Sequence, residues 1–223
     1  SGWDDGGYDG NVDVGVDSSG NPYVVEAIQI SDMCMYEDGV LVQKYTGGLA
    51  VPPTWTRIYE HPSDELIFSA ASVGSGNVCM AGWSGDSTML LMYNGSGVLQ
   101  WERYPSSATH CLYPYLGGIA HYGGVTYDSM TGYDFIGFES DIVIERYDNS
   151  GNSLGEIVFT PWTNIQSGPI TTDSMGNIYL AGSVETGTWY EDDLILIKYN
   201  PAGVLQWSRT YSLVDNDDYP AGI

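Results

Sequence analysis

An all-β fold built from four copies of one four-stranded unit is what this sequence predicts, and three observations carry the prediction. Self-similar phrases recur along the chain, with matched turn positions at Asp17, Val73, Asp128 and Asp173, a spacing of about 45 to 56 residues. Each copy alternates short apolar runs with Gly-, Asn- and Asp-rich turns. No segment carries a helical period with caps. Four-stranded units at this spacing are the pattern of β-propeller blades. The expectation is a single domain over 1–223, with blades at about 11–60, 66–104, 123–161 and 168–212.

The elements follow in order within each copy. The first strand ends at the turn phrase, read as "VDSSGNPYVVEA", "SVGSGNVCMAG", "YDSMTGYDFIG" and "TDSMGNIYLAG" in successive copies. The second strand leaves that turn as a tight hairpin. The third is the apolar run, "LILIKY" in the last copy, patterned for a sheet covered on both faces. The fourth, "VLQWSRTY" in the last copy, is reached through "NGSG" or "NPAG" turns.

The phrases "DSSGNPYVVEA" and "LILIKYNPAGVLQWSRTYS" resemble the seven-bladed β-propeller repeat of secreted bacterial and archaeal proteins. The resemblance covers nearly the whole chain and is strong in copies one, two and four. Copy three departs from it, with "GEIVFTP" where the others carry Trp-x-Arg. It implies an extracellular propeller module with more blades than four, and it implies no reaction.

The chain holds 29 acidic against 6 basic residues, a formal net charge of −23. Such a surface repels phosphate backbones and anionic lipid, which argues against nucleic acid and membrane-surface roles. No apolar run is long enough to span a bilayer. The Asp-rich balance fits an extracellular, cell-surface or salty setting.

All six basic residues occupy repeat positions. Lys44, Arg146 and Lys198 share one position on the third strand, where copy two has Met92. Arg57, Arg103 and Arg209 share one on the fourth, each two residues after Trp55, Trp101 or Trp207. An active site is unique in a chain, whereas these recur, so the expectation is that each copy uses them to pack against its neighbour. Asp17, Asp128 and Asp173 open turns without the alternating carboxylates and distant Glu of a calcium loop, and are expected to bond their own backbone.

Sites with chemistry of their own would lie on the longer loops. Clustered carboxylates at Asp4 and Asp5, and at Asp215, Asp217 and Asp218, either stand solvated or hold a hard cation, Ca2+ being the best fit. Trp3, Trp162 and Trp189 fall outside the repeated Trp position and are candidates to stack sugar rings beside that acidic face, or simply to pack loops. Cys34 and Cys111 are a disulfide candidate on neighbouring copies, and Cys79 reads as a buried thiol. Asn94 begins an Asn-Gly-Ser glycosylation triplet. His110, Cys111 and His121, in the long Pro105–Tyr122 insertion, match no standard zinc spacing.

The one Gly-x-Ser-x-Gly string, at 151–155, has no helical pattern after it and so makes no nucleophile elbow. His-Glu-x-x-His and phosphate-loop patterns are missing, and no pair of carboxylates is singled out as an acid and base. The expected function is a non-catalytic, self-assembling or binding module of a cell-surface or extracellular assembly, partnered by itself or by surface proteins and glycans. The alternative is a glycan-binding or glycan-cleaving propeller working through the acidic, Trp-bearing face. The segment 213–223, ending "DDYPAGI", echoes the acidic lead-in "DDGGYDGNVDVGVD" of the first copy. It is expected to begin a further repeat or to act as a closing or joining strand. Unpaired strands of that kind are templates for head-to-tail addition.

Overall fold

The structure is a computed structural model that describes residues 12–29, 38–60, 65–72, 76–84, 87–104, 125–128, 132–136, 142–159, 165–185, 192–212 and 223. Those residues form sixteen β-strands in four sheets of four, and no helix is found among them. Sheet 1 contains β1 (Val12–Val16), β2 (Pro22–Gln29), β3 (Asp38–Lys44) and β4 (Trp55–Glu60). Sheet 2 contains β5 (Glu65–Ser72), β6 (Val78–Ser84), β7 (Ser87–Tyr93) and β8 (Leu99–Arg103). Sheet 3 contains β9 (Val125–Asp128), β10 (Gly132–Ile136), β11 (Ile142–Tyr147) and β12 (Ser153–Phe159). Sheet 4 contains β13 (Ile165–Thr172), β14 (Ile178–Glu185), β15 (Asp192–Tyr199) and β16 (Leu205–Tyr211).

Every sheet is an antiparallel meander in chain order. The first strands β1, β5, β9 and β13 run beside one another in that order, so the sheets succeed each other as the chain does. Among the described residues the middle strands are the most buried. In β7 the run Met89–Tyr93 is buried at every position, because this strand has a sheet against both faces. The last strands β4, β12 and β16 are mostly exposed, as outer edges are. Their charged side chains, such as Glu60, Glu156 and Arg209, discourage further edge pairing.

Alternate residues of each strand point to opposite faces of its sheet. Tyr23, Val25, Val40 and Val42 on one face of sheet 1 pack with Val78, Met80, Met89, Leu91 and Tyr93 of sheet 2. Ile144 of sheet 3, with Ile157 and Phe159 against it, packs with Ile178, Leu180, Ile195, Ile197 and Tyr199 of sheet 4. Among the described residues no such cluster covers the opposite face of sheet 1. Val12, Val14, Val16 and Ile58 are 57%, 47%, 55% and 51% exposed. The register places Val24 and Leu41 on that same face.

Candidate functional site

Among the described residues one turn is built five times from one local rule. At 17–21, 94–98, 148–152, 173–177 and 200–204 the first residue's N–H donates to the fifth carbonyl, and the fourth N–H donates to the first carbonyl. The first side chain is Asp or Asn, and its Oδ1 accepts the N–H groups of the third and fifth residues. The fourth residue is glycine with φ between 74° and 78°. Where the first residue is Asp and the fifth Asn, the second carboxylate oxygen also accepts the Asn amide.

These donors set the electrostatics of the turns. The Asn177 amide does most to lower Asp173 to about 2; burial opposes it, and the backbone N–H groups of Asn177 and Met175 and the Tyr179 hydroxyl add to the lowering. Burial opposes ionisation of Asp17, but the two Asn21 donors, Ser19 and the Lys44 ammonium outweigh it and lower its pKa. The carboxylate oxygens are thus spent on the turn itself. Asn94 does the same work, its Oδ1 holding Ser96 and Val98.

The recurring tryptophans and cations reach from each sheet into the turns of the next. Trp55 Nε1 donates to Gly95 O at 3.0 Å and Arg57 Nε to Gly97 O at 2.7 Å. One sheet on, Trp101 Nε1 donates to Asn149 O at 3.2 Å and Arg103 Nε to Gly151 O at 2.7 Å. The guanidinium of each pair lies over its own indole, at 5.7 Å for Arg57 and 5.8 Å for Arg103. A methyl added at Gly97 would stand 2.8 Å from the Trp55 ring, and one at Gly151 would stand 2.8 Å from the Trp101 ring. The turn glycine therefore serves twice, allowing a positive φ and leaving a flat seat for the indole.

Sheet 3 reaches the same result with different residues. Gly155 stands opposite Arg146 where Trp55 and Trp101 stand opposite Lys44 and Met92. Ile157 takes the arginine position and fills the Gly203 seat at 2.8 Å. The cation comes from the third strand: Arg146 Nη1 donates to Pro201 O at 3.0 Å. Pro201 is the second residue of its turn, as Gly95 and Asn149 are of theirs, so the same carbonyl is gripped from another strand.

A second contact joins the sheets at the first hairpin turn. Tyr23 OH donates to Gly76 O, the Lys44 ammonium lies over the Tyr23 ring at 4.9 Å, and Lys44 pairs with Asp17 at 3.6 Å. Sheet 4 repeats the set. Lys198 lies over Tyr179 at 4.8 Å, and Tyr179 packs edge-on to Trp207 at 6.5 Å. There the Tyr179 hydroxyl donates to Asp173 of its own turn, at 3.1 Å, rather than to another sheet. Arg209 lies over Trp207 at 5.6 Å and is exposed.

Between sheets 1 and 2 the phenols of Tyr59 and Tyr104 meet Glu102. Burial first, then the Glu102 carboxylate, pushes both phenol pKa values up. Cys79 is fully buried and its thiol is pushed up by that burial. Asp4, Asp5, Asp215, Asp217, Asp218, Trp3, Trp162, Trp189, Cys34 and Cys111 lie outside the described residues, as do His110 and His121. No cluster of three or more His, Cys, Asp or Glu able to hold a metal occurs among the described residues. Sequence reasoning missed the seats, which are carbonyl oxygens and a bare glycine. The available signal was the pairing of the Trp-x-Arg of copies one and two with an Asx-x-x-Gly turn one copy later.

No family model matches the sequence, and no curated protein matches it either. Among solved structures, a protein of unknown function from Bacteroides caccae is similar over 92% of this chain and 83% of its own, with a TM-score of 0.50 and 10% identity. A chain described as the eukaryotic initiation factor is similar over 86% of this chain and 52% of its own, with a TM-score of 0.46 and 9% identity. The first likeness bears on the all-β arrangement alone.

Proposed function

We propose that this chain is a non-catalytic structural module, its four sheets acting as successive blades of a β-propeller-type stack within a cell-surface or extracellular assembly. One observation carries the reading. The repeated Trp, Arg, Lys and Tyr positions grip backbone carbonyls of the following sheet, at each of three successive junctions in some form. Side chains committed in this way hold sheets together and are withdrawn from ligand chemistry. The described Asp turns likewise use their own oxygens. An extracellular setting is supported by the net charge of −23, and the resemblance to secreted propeller repeats points the same way.

Electron microscopy of the purified protein, with and without a calcium chelator, tests this reading. Ordered assemblies built from the compact sheet stack support it, and their loss on chelation would assign Ca2+ to a joint. Monodisperse particles that bind a defined glycan, with turnover or without, would replace it by the glycan-directed reading.

A further inference from the structure

The two ends of the sheet stack are complementary halves of the junction that the chain forms internally. At the sheet 1 to sheet 2 junction, Asp17, Tyr23 and Lys44 close on the turn glycine Gly76, whose added methyl would stand 3.2 Å from Lys44 Nζ and 3.3 Å from the Tyr23 hydroxyl. Trp55 and Arg57 of the same face close on the 94–98 turn. Sheet 4 carries the full set again as Asp173, Tyr179, Lys198, Trp207 and Arg209. No turn of a following sheet stands against it among the described residues. The Tyr179 hydroxyl is turned back onto its own Asp173.

Sheet 1 presents the other half. Its 17–21 turn has the same hydrogen bonds as the turns that are gripped elsewhere, and Gly20 has a φ of 78° against 76° at Gly76. An added methyl at Gly20 meets nothing within 4 Å, and the same holds for Gly47 and Gly48 in the connection between β3 and β4. Beside these open seats lie Val12, Val14, Val16 and Ile58, each about half exposed, on a face that the register shares with Glu26, Gln43 and Thr56. It is the counterpart of the Val78, Met80, Met89 and Leu91 face that sheet 2 buries against sheet 1.

Resting on the structural-module reading, we infer that the gripping face of sheet 4 docks on the sheet 1 face of a second copy of this chain, head to tail. Tyr179 then donates to Gly20 O of the second copy, as Tyr23 does to Gly76 O. Lys198 and Asp173 cover that turn, and Trp207 and Arg209 reach the Gly47–Gly48 connection. The second copy is the fitting occupant because it brings the open Gly20 seat, in a turn with the hydrogen bonds of the gripped turns, and the half-exposed valines beside it. A contact of this kind is heterologous, so it leaves one gripping face and one seat face free for further addition.

Two variants on exposed side chains separate the halves: Arg209→Glu spoils the gripping face, and Val14→Asp spoils the seat. Sedimentation velocity is run at about 100 µM, where a modest interface is populated. Salt is held at about 0.15 M, so that the mutual repulsion of two acidic copies is screened beyond about 8 Å. Circular dichroism confirms that each variant is folded. The wild-type chain is expected to form dimers and longer species. Each variant alone should stay monomeric, and an equimolar mixture should form a 1:1 dimer that grows no further. Tyr179→Phe, a folded variant lacking only one hydroxyl, should weaken wild-type association about fivefold. A monomeric wild type, association unaffected by Val14→Asp, or a mixture that stays monomeric would each overturn the inference. If microscopy shows ordered assemblies while the mixture stays monomeric, the structural reading stands and this joint is wrong.

Discussion

Replacing Gly151 by alanine tests whether the turn glycines are seats as well as hinges. The residue has a φ of 75°, so any side chain carries left-handed strain of about 1–2 kcal/mol. Its new methyl would stand 2.8 Å from Trp101 Cδ2, 2.9 Å from Cγ and 3.1 Å from Arg103 Nη2. The indole is 6% exposed and has little room to retreat, so overpacking adds about 1–3 kcal/mol. Withdrawal of the ring weakens the Trp101 bond to Asn149 O, another ~1 kcal/mol. Gly20→Ala is the control, because its φ is 78° and its methyl meets nothing within 4 Å. Urea unfolding at dilute protein should show Gly151→Ala losing about 2–4 kcal/mol more than Gly20→Ala. Equal losses, with equal denaturant slopes, would mean that the strain of the turn is everything and the seat is nothing.

Three further outcomes follow from the same geometry. Arg146→Met, which installs the residue type that sheet 2 carries at this position, should lower stability by about 1–3 kcal/mol in urea unfolding, since the Pro201 carbonyl loses a charged donor. Cys79 should react with a thiol reagent only as fast as the protein opens, its thiol being buried and its pKa raised, so alkylation should track the unfolded fraction. Asp173 should titrate with a midpoint near 2 by NMR. Because its folded pKa lies below its ordinary value, its contribution to stability is complete above about pH 4 and is lost as pH falls toward 2. Asn177→Ala should move that midpoint back up, and an unmoved midpoint would remove the Asn177 amide as the cause.

The all-β class and the four-stranded sheets were legible because alternation and turn chemistry are local. Tyr23 and Val25 point one way and Val24 the other whatever lies beyond the sheet. The Asp17 and Asp173 turns were legible for the same reason, each carboxylate finding its donors within four residues, while the Asp128 side chain and its turn lie outside what is described. That the cations recur was enough to give them a packing role. What they pack against was not visible. The acceptors are backbone carbonyls 40 to 55 residues away, marked in the sequence only by the Asx and glycine of the turns that carry them. Copy three looked merely divergent at Gly155, because its arginine had moved to the third strand and only the sheet register shows that it reaches the same carbonyl. The loop carboxylates and tryptophans singled out as ligand candidates lie outside the described residues.

A seat made of two carbonyls and a hydrogen atom in place of a side chain has an uncommon tolerance. The second and third turn residues are Gly-Ser, Asn-Ser and Pro-Ala in the three sheets that are gripped at the 94–98, 148–152 and 200–204 turns. Each presents the same oxygen. Mutation can rewrite those positions freely, provided the opening Asx and the closing glycine survive. Even the grip itself has been rewritten once, from tryptophan and arginine to isoleucine and a displaced arginine, without losing the joint. A joint specified by main-chain atoms lets neighbouring units drift apart in composition while keeping their spacing. A chain joined in this way can share its architecture with another at 10% identity.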